Sequence, residues 1–379
     1  MDYFVAGGTP WALEVNATIP AMQGYSDIAA RTFIEVVGRY FRYPEKSLHA
    51  LLSLNGSNAL ALYRALLDGY AAERNGRMPD TVALLCRRND AQITELRWLC
   101  ERFREFGADA DWSIRTRCPV TTPSWPTARS TTWCTGTSSS GAWRSPPPLG
   151  RGLPGHRARQ EGGIPQSPAS QVEVKLTFAR LSQALAEPAL AEAARLTSEE
   201  LEAVRASVPW TRTFQPGPTQ GPDGERVEDL VALVAATPAR FVLKRAWDYG
   251  GRAVFLGRSA GTVPYTERVQ AAYGAPMTWA ELCARTAADT AGGGFVVQEV
   301  VDSPPEEHLL CEPNGTVLPT SFFVDYSAYA SVGLARQPAW GGVCRGSMSE
   351  IVNIVGGGGV LPLITSEVAS KLLMAWKAF

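Results

Sequence analysis

Asp2, Glu14 and Asn16 are three oxygen-bearing side chains whose spacing suits a hard cation. Residues 1–6 are apolar-rich, Gly7-Gly8-Thr9 has turn composition, and residues 11–16 are extended again, which predicts a hairpin with a three-residue loop. That register sets Asp2 opposite Glu14, and strand alternation puts Asn16 on the Glu14 face. Two carboxylates across a hairpin repel unless something neutralises them. Mg²⁺ does so, because it is held by one or two carboxylates plus substrate phosphates. On spacing alone, an exposed hairpin with solvated acids is the alternative.

Four further segments hold charged side chains on or beside strands, turns or a helix. In RFVLKRAWDYGGRAVFLGR, residues 240–258, Lys244 ends an apolar strand and Gly250-Gly251 sit in the following turn. Glycine backbone approaches phosphate oxygens closely and the ammonium adds point charge; the alternative is a plain hairpin with a surface lysine. The apolar strand GFVVQEVV, residues 294–301, ends in Gln298, Glu299 and Val300, a pattern also given by a buried strand with a solvated acid at its end. Residues 341–359 combine Arg345, Asn353 and a run of glycines. Guanidinium is a planar fork that matches phosphate oxygens, although a flexible loop with an incidental arginine fits as well. Lys175 lies in QVEVKLTFARLSQAL, residues 171–185, which reads as the start of a helix.

Taken together, these motifs resemble the ATP-grasp superfamily with its order cyclically shifted. LEVNATIPAMQ, residues 13–23, resembles the Glu-x-Asn-x-x-x-Pro-Gly-Met metal segment of D-alanine–D-alanine ligases and ribosomal-protein glutamate ligases, with Ala21 in place of the usual glycine. Residues 240–258 resemble the strand-Lys-Pro then Gly-Gly-x-Gly-Val element, with Arg245 and Ala253 departing from it. Gln298-Glu299-Val300 resembles the adenine hinge, and residues 345–359 the Arg then Ser-Asn-x-x-x-Gly-Gly loop. Lys175 resembles the first ATP lysine, and residues 208–212 the turn after its helix. In those families the metal segment closes the core, whereas here it opens the chain. The final amphipathic stretch TSEVASKLLMAWKAF leads, in relatives, into the strand that begins here as MDYFVAGG. One cyclic shift accounts for the order of all these motifs. The chain is thereby similar to circularly permuted ATP-grasp proteins, which include glutathionylspermidine-synthetase-like enzymes, over residues 1–30 and about 165–379.

The resemblance implies an α+β or α/β fold: an ATP-grasp core in circularly permuted order, with a preceding Rossmann-like α/β domain that is incomplete. Residues 1–40 are the displaced end of that core, 41–111 a helical and α/β region before it, and 168–379 the nucleotide-binding lobes. The implied cofactors are ATP and Mg²⁺. Asp2, Glu14 and Asn16 would hold the metal, Lys175 and Lys244 the nucleotide phosphates, and the Gly250-Gly251 loop would close over them. Gln298, Glu299 and Val300 would hold the nucleoside, with Arg345 and Asn353 at the transferred phosphoryl group. The implied reaction joins a small-molecule or peptide carboxylate to an amine through an acyl phosphate. An ATP-binding protein impaired in catalysis and an ATP-dependent phosphotransferase are the alternatives, since one fold hosts many functions.

Residues 112–167 stand apart. They hold one acidic residue, Glu161, no Phe or Tyr, and four of the eleven tryptophans. Tryptophan has a single codon, and GC-rich codons for this stretch, read in a shifted frame, return peptides with apolar runs and ordinary acid content. The stretch therefore reads as an out-of-frame, irregular segment, with a genuine Pro/Ser-rich insert as the alternative. Around it, residues 81–85 read as a strand and 91–106 as a helix.

Bulk properties narrow the classes. With 379 residues, the chain has room for two or three cores. A formal net charge of −1 gives no reason to expect nucleic acid as a partner. No apolar window is long enough for a membrane span, and residues 1–10 lack the features of a secretory signal. Seven cysteines without CxxC pairing suit the cytoplasm better than a disulfide framework. Three dispersed histidines argue against a zinc site.

Overall fold

The structure is a computed structural model that describes residues 1–16, 21–86, 89, 92–114, 131–135, 173–248, 250–312, 314–330, 341–354 and 357–378. It mixes helix and sheet, and the chain divides into two compact units.

The first unit comprises residues 1–15, 171–326 and 345–359. Its N-terminal hairpin pairs Asp2–Ala6 with Thr9–Glu14. The turn has two residues rather than the expected three. Gly7 and Gly8 take φ of 58° and 78°, the left-handed conformation that a two-residue hairpin loop demands at both positions. Tyr3 faces Ala12 but Asp2 faces Glu14, so Leu13 is an extra, bulged residue. The bulge offsets the shorter loop and restores the Asp2–Glu14 pairing. Pro10 is tolerated because this strand lies at the sheet edge. Hairpin residues Ala12 and Tyr3 pack with Phe178, Val204 and Val208, on and just after the helices Leu176–Ala184 and Ser198–Ser207.

A four-stranded antiparallel sheet follows, in the order Val254–Leu256, Phe241–Arg245, Phe295–Glu299, Thr211–Thr213. Alternation sorts its residues. Phe241, Leu243, Phe295 and Val297 join Phe255, Val234, Leu282 and Trp279 in a core beneath the helices Leu230–Ala236 and Trp279–Ala288. Each such side chain contributes roughly 1.5–3 kcal/mol on burial. The intervening residues, Lys244 and Gln298 among them, are left for the opposite face.

A second sheet runs Gly359–Leu361, Gly342–Ser347, Val317–Ala328, Asp2–Ala6, Thr9–Glu14, with Glu306–Cys311 also pairing on Val317–Ala328. The N-terminal hairpin thus extends a sheet whose other strands begin only at Glu306.

The second unit comprises residues 16–170, 327–344 and 360–379. Thr81–Cys86 lies between two parallel strands, Asp109–Ile114 and Thr131–Thr135. The helix Ile93–Glu105 makes the crossover that parallel pairing requires. Leu96, Leu99 and Phe103 of that helix bury against Val82 and Leu84. Glu95 on the same helix accepts the N–H groups of Met22 (2.9 Å) and Gly24 (2.8 Å), fastening the start of the helix Gln23–Tyr40.

The expectation of an irregular 112–167 is corrected at two places. Residues 112–114 and Thr131–Thr135 are strands, because their Thr, Trp and Ile content suits pairing on both edges of an apolar strand. The remainder, 115–130 and 136–167, lies outside the described residues. Among the described residues, no helix is long and apolar enough to cross a membrane.

Candidate functional site

Asp2, from the first strand, is buried. Its Oδ2 accepts from Arg345 Nη2 at 2.9 Å. Arg345 also donates from Nε to Asp325 Oδ1 (2.8 Å) and from Nη2 to Asp325 Oδ2 (2.5 Å). This two-pronged pairing holds the guanidinium plane fixed. Burial opposes the Arg345 charge, but Asp2 and Asp325 outweigh it and hold the proton more firmly than usual. Asp325 is buried too, and desolvation raises its carboxyl to about 6 against the pull of Arg345.

Glu14 faces Asp2 across the hairpin and pairs with Lys175, Nζ to Oε2 3.0 Å. Burial works against the Glu14 charge, yet Lys175, with Lys244 and Arg345 beyond it, holds the carboxyl down at about 2. Lys175 Nζ also donates to the Asp248 carbonyl at 2.8 Å, at the entry to the glycine loop. Lys244 Nζ donates to Gln298 Oε1 at 2.6 Å, and Gln298 Nε2 donates to Thr211 Oγ1 at 3.0 Å. Desolvation brings Lys244 down to about 8. Lys175 pushes the same way, while Glu14 and Asp2 oppose it.

The glycine loop is tied down at two carbonyls. Asn353 Nδ2 donates to Gly250 O at 2.6 Å and Arg268 Nη1 to Gly251 O at 2.7 Å. Gly250 and Gly251 have φ of 67° and 68°, and a Cβ at Gly251 would stand 3.0 Å from Ile351. Conformation therefore disfavours side chains at both positions, and at Gly251 a tight contact adds to it.

The structure thus gathers Asp2, Glu14, Lys175, Lys244, Gln298 and Arg345 into one charged cluster and joins Asn353 to Gly250. Glu299 is engaged elsewhere: its Oε1 accepts from Arg240 Nε at 2.8 Å. The N–H groups of Glu299 and Val300 are taken by the carbonyls of Trp210 (2.8 Å) and Arg240 (2.9 Å), so neither is open to a nucleobase in this conformation. Asn16 begins the second unit. Asp325 and Arg268 are additions that the sequence motifs did not supply. The one signal for Asp325 is a lone acid in the otherwise uncharged strand Val317–Ala328.

Among the described residues, no three His, Cys, Asp or Glu side chains stand close enough to hold a metal by themselves. Asp2 and Glu14 each carry a cationic partner instead. Such a donor set fits an ion that arrives with phosphate oxygens completing its shell, as Mg²⁺ does. Three carboxylates, Asp2, Glu14 and Asp325, are set against three cations, Lys175, Lys244 and Arg345. Compared with protein-family models and with curated proteins, the chain matches none.

Proposed function

We propose that the chain is an ATP- and Mg²⁺-dependent ligase that joins a carboxylate to an amine, built on an ATP-grasp core in circularly permuted order. The observation that carries this reading is the Glu14 carboxylate. It is set opposite Asp2 by the hairpin and held ionised by Lys175, Lys244 and Arg345 from three distant stretches of chain.

On this reading Lys175 and Lys244 bind the triphosphate, and Lys175 couples that binding to the loop through the Asp248 carbonyl. Asn353 and Arg268 hold the Gly250-Gly251 loop over the phosphates, where it excludes water. Arg345, fixed by Asp325, faces the transferred phosphoryl group and stabilises charge as the substrate carboxylate attacks. The amine then displaces phosphate from the acyl phosphate. Asp2, Glu14 and, by resemblance, Asn16 would hold Mg²⁺, which neutralises the phosphate oxygens when bound. Gln298 orients the nucleoside side. For Glu299 to do the same, it must exchange its contact with Arg240.

ADP release tests the proposal when screened with amino acids, peptides and polyamines as carboxylate and amine donors. The expected result is release that depends on both partners and yields an amide, and that Glu14→Ala abolishes. Unchanged turnover in Glu14→Ala contradicts the assignment. ADP without amide identifies a phosphotransferase, and nucleotide-dependent stabilisation without ADP release a binding protein.

A further inference from the structure

Arg212 lies on the other side of its strand from Thr211 and the Lys244–Gln298 pair, because successive strand residues alternate. It is only 5% exposed. Its Nε donates to Thr219 Oγ1 (3.2 Å), and its Nη1 donates to Ser182 Oγ and to the Thr211 carbonyl (both 2.9 Å). The guanidinium sits over the Trp210 ring, 4.9 Å from its centroid. Every acceptor it meets among the described residues is a neutral oxygen, and Nη2 donates to none of them. Burial lowers its proton affinity, with Glu187 opposing from beyond ion-pair distance. Guanidinium nevertheless stays charged at any physiological pH, and a buried charge without a counter-charge is unfavourable.

That side chain lines a cavity of about 450 Å³ that is open to solvent, together with Glu187, Thr219, Gln220, Glu225 and Arg226, a volume suited to a small molecule. Arg226 is already satisfied by Glu228, Nε to Oε1 2.6 Å. The cavity thus offers one buried cation without an ionic partner and two exposed carboxylates, Glu187 and Glu225. A multiply charged anion would meet repulsion from those carboxylates. A molecule with both charges places its carboxylate on Arg212 and its ammonium near Glu187 and Glu225.

We propose that this cavity binds a small zwitterion, the carboxylate and ammonium of a free amino acid or of a short peptide. The site faces away from the charged cluster across its strand, and the proposal does not rest on the ligase reading.

Calorimetric titration of the full chain without nucleotide tests it, using L-alanine, L-alanyl-L-alanine, acetate, methylammonium and inorganic phosphate. At least one zwitterion should bind about ten-fold or more tightly than acetate or methylammonium, and the alanine and dipeptide arms tell the two sources apart. Arg212→Met should abolish binding in a chain that circular dichroism shows to be folded. Glu187→Gln, at an exposed position, should reduce the preference for zwitterion over acetate by roughly ten-fold. Failure of both zwitterions to bind, phosphate or acetate binding as tightly as alanine, or retained binding in Arg212→Met would overturn the proposal. If Arg212→Met does not fold, Glu187→Gln decides: an unchanged ratio of zwitterion to acetate affinity overturns it.

Discussion

Lys244 is a cation of the charged cluster whose hold on its proton is weakened. Burial and the Lys175 charge bring it to about 8, from an ordinary value of 10.5. Two consequences follow from that direction. Between about pH 8 and 10.5 the unfolded chain retains a proton that the folded chain has lost, so this group's contribution to stability rises with pH across that window. ATP affinity should move the opposite way, falling as pH rises through about 8, because the neutral amine attracts no phosphate. Titrations of ATP from pH 7 to 9 check this, and Lys244→Arg, which does not titrate there, should flatten the profile. Asp325 makes a different prediction. Removing it leaves the partly buried Arg345 with one carboxylate partner fewer, so Asp325→Ala should destabilise the fold by about 3 kcal/mol in urea. Asp325→Asn, which keeps an acceptor for Arg345 Nε, should lose less than half of that.

Among the elements, the N-terminal hairpin governs the site. Gly7 and Gly8 both sit at positive φ, so Gly8→Val should cost about 1–2 kcal/mol by thermal melting and disturb the Asp2–Glu14 register. The pairing was legible in the sequence, but for a reason only half right. A three-residue loop without a bulge and a two-residue loop with Leu13 bulged bring the same two carboxylates together. The Lys244 strand and the Gly250-Gly251 turn were legible because apolar alternation and glycine are local signals. Asp325 was not, since its meaning comes from Arg345 twenty positions away and, through it, from Asp2 at the other end of the chain. The strand Thr131–Thr135 was missed because a composition averaged over a long segment hides five residues of strand-forming sequence. Glu299 and Val300 were legible as a strand end. Their engagement with Arg240 and Trp210 depends on tertiary neighbours that no motif encodes.

At the scale of the whole molecule, the first unit is drawn from three separated stretches, and the charged cluster takes residues from each of them. Asp2–Ala6 lies beside Val317–Ala328 in their sheet. Deleting residues 1–15 would strip that strand of a neighbour, expose an edge, and remove Asp2 and Glu14 together. The truncated chain should aggregate or lose its cooperative melt, and light scattering with calorimetry checks this. The most direct measurement of the central claim is calorimetric ATP binding by the intact chain and by Glu14→Ala, each with and without Mg²⁺. The account predicts binding by the intact chain that weakens at least about ten-fold when Mg²⁺ is withheld or Glu14 is removed. ATP affinity that is the same in all four conditions, or absent from the intact chain, would contradict it.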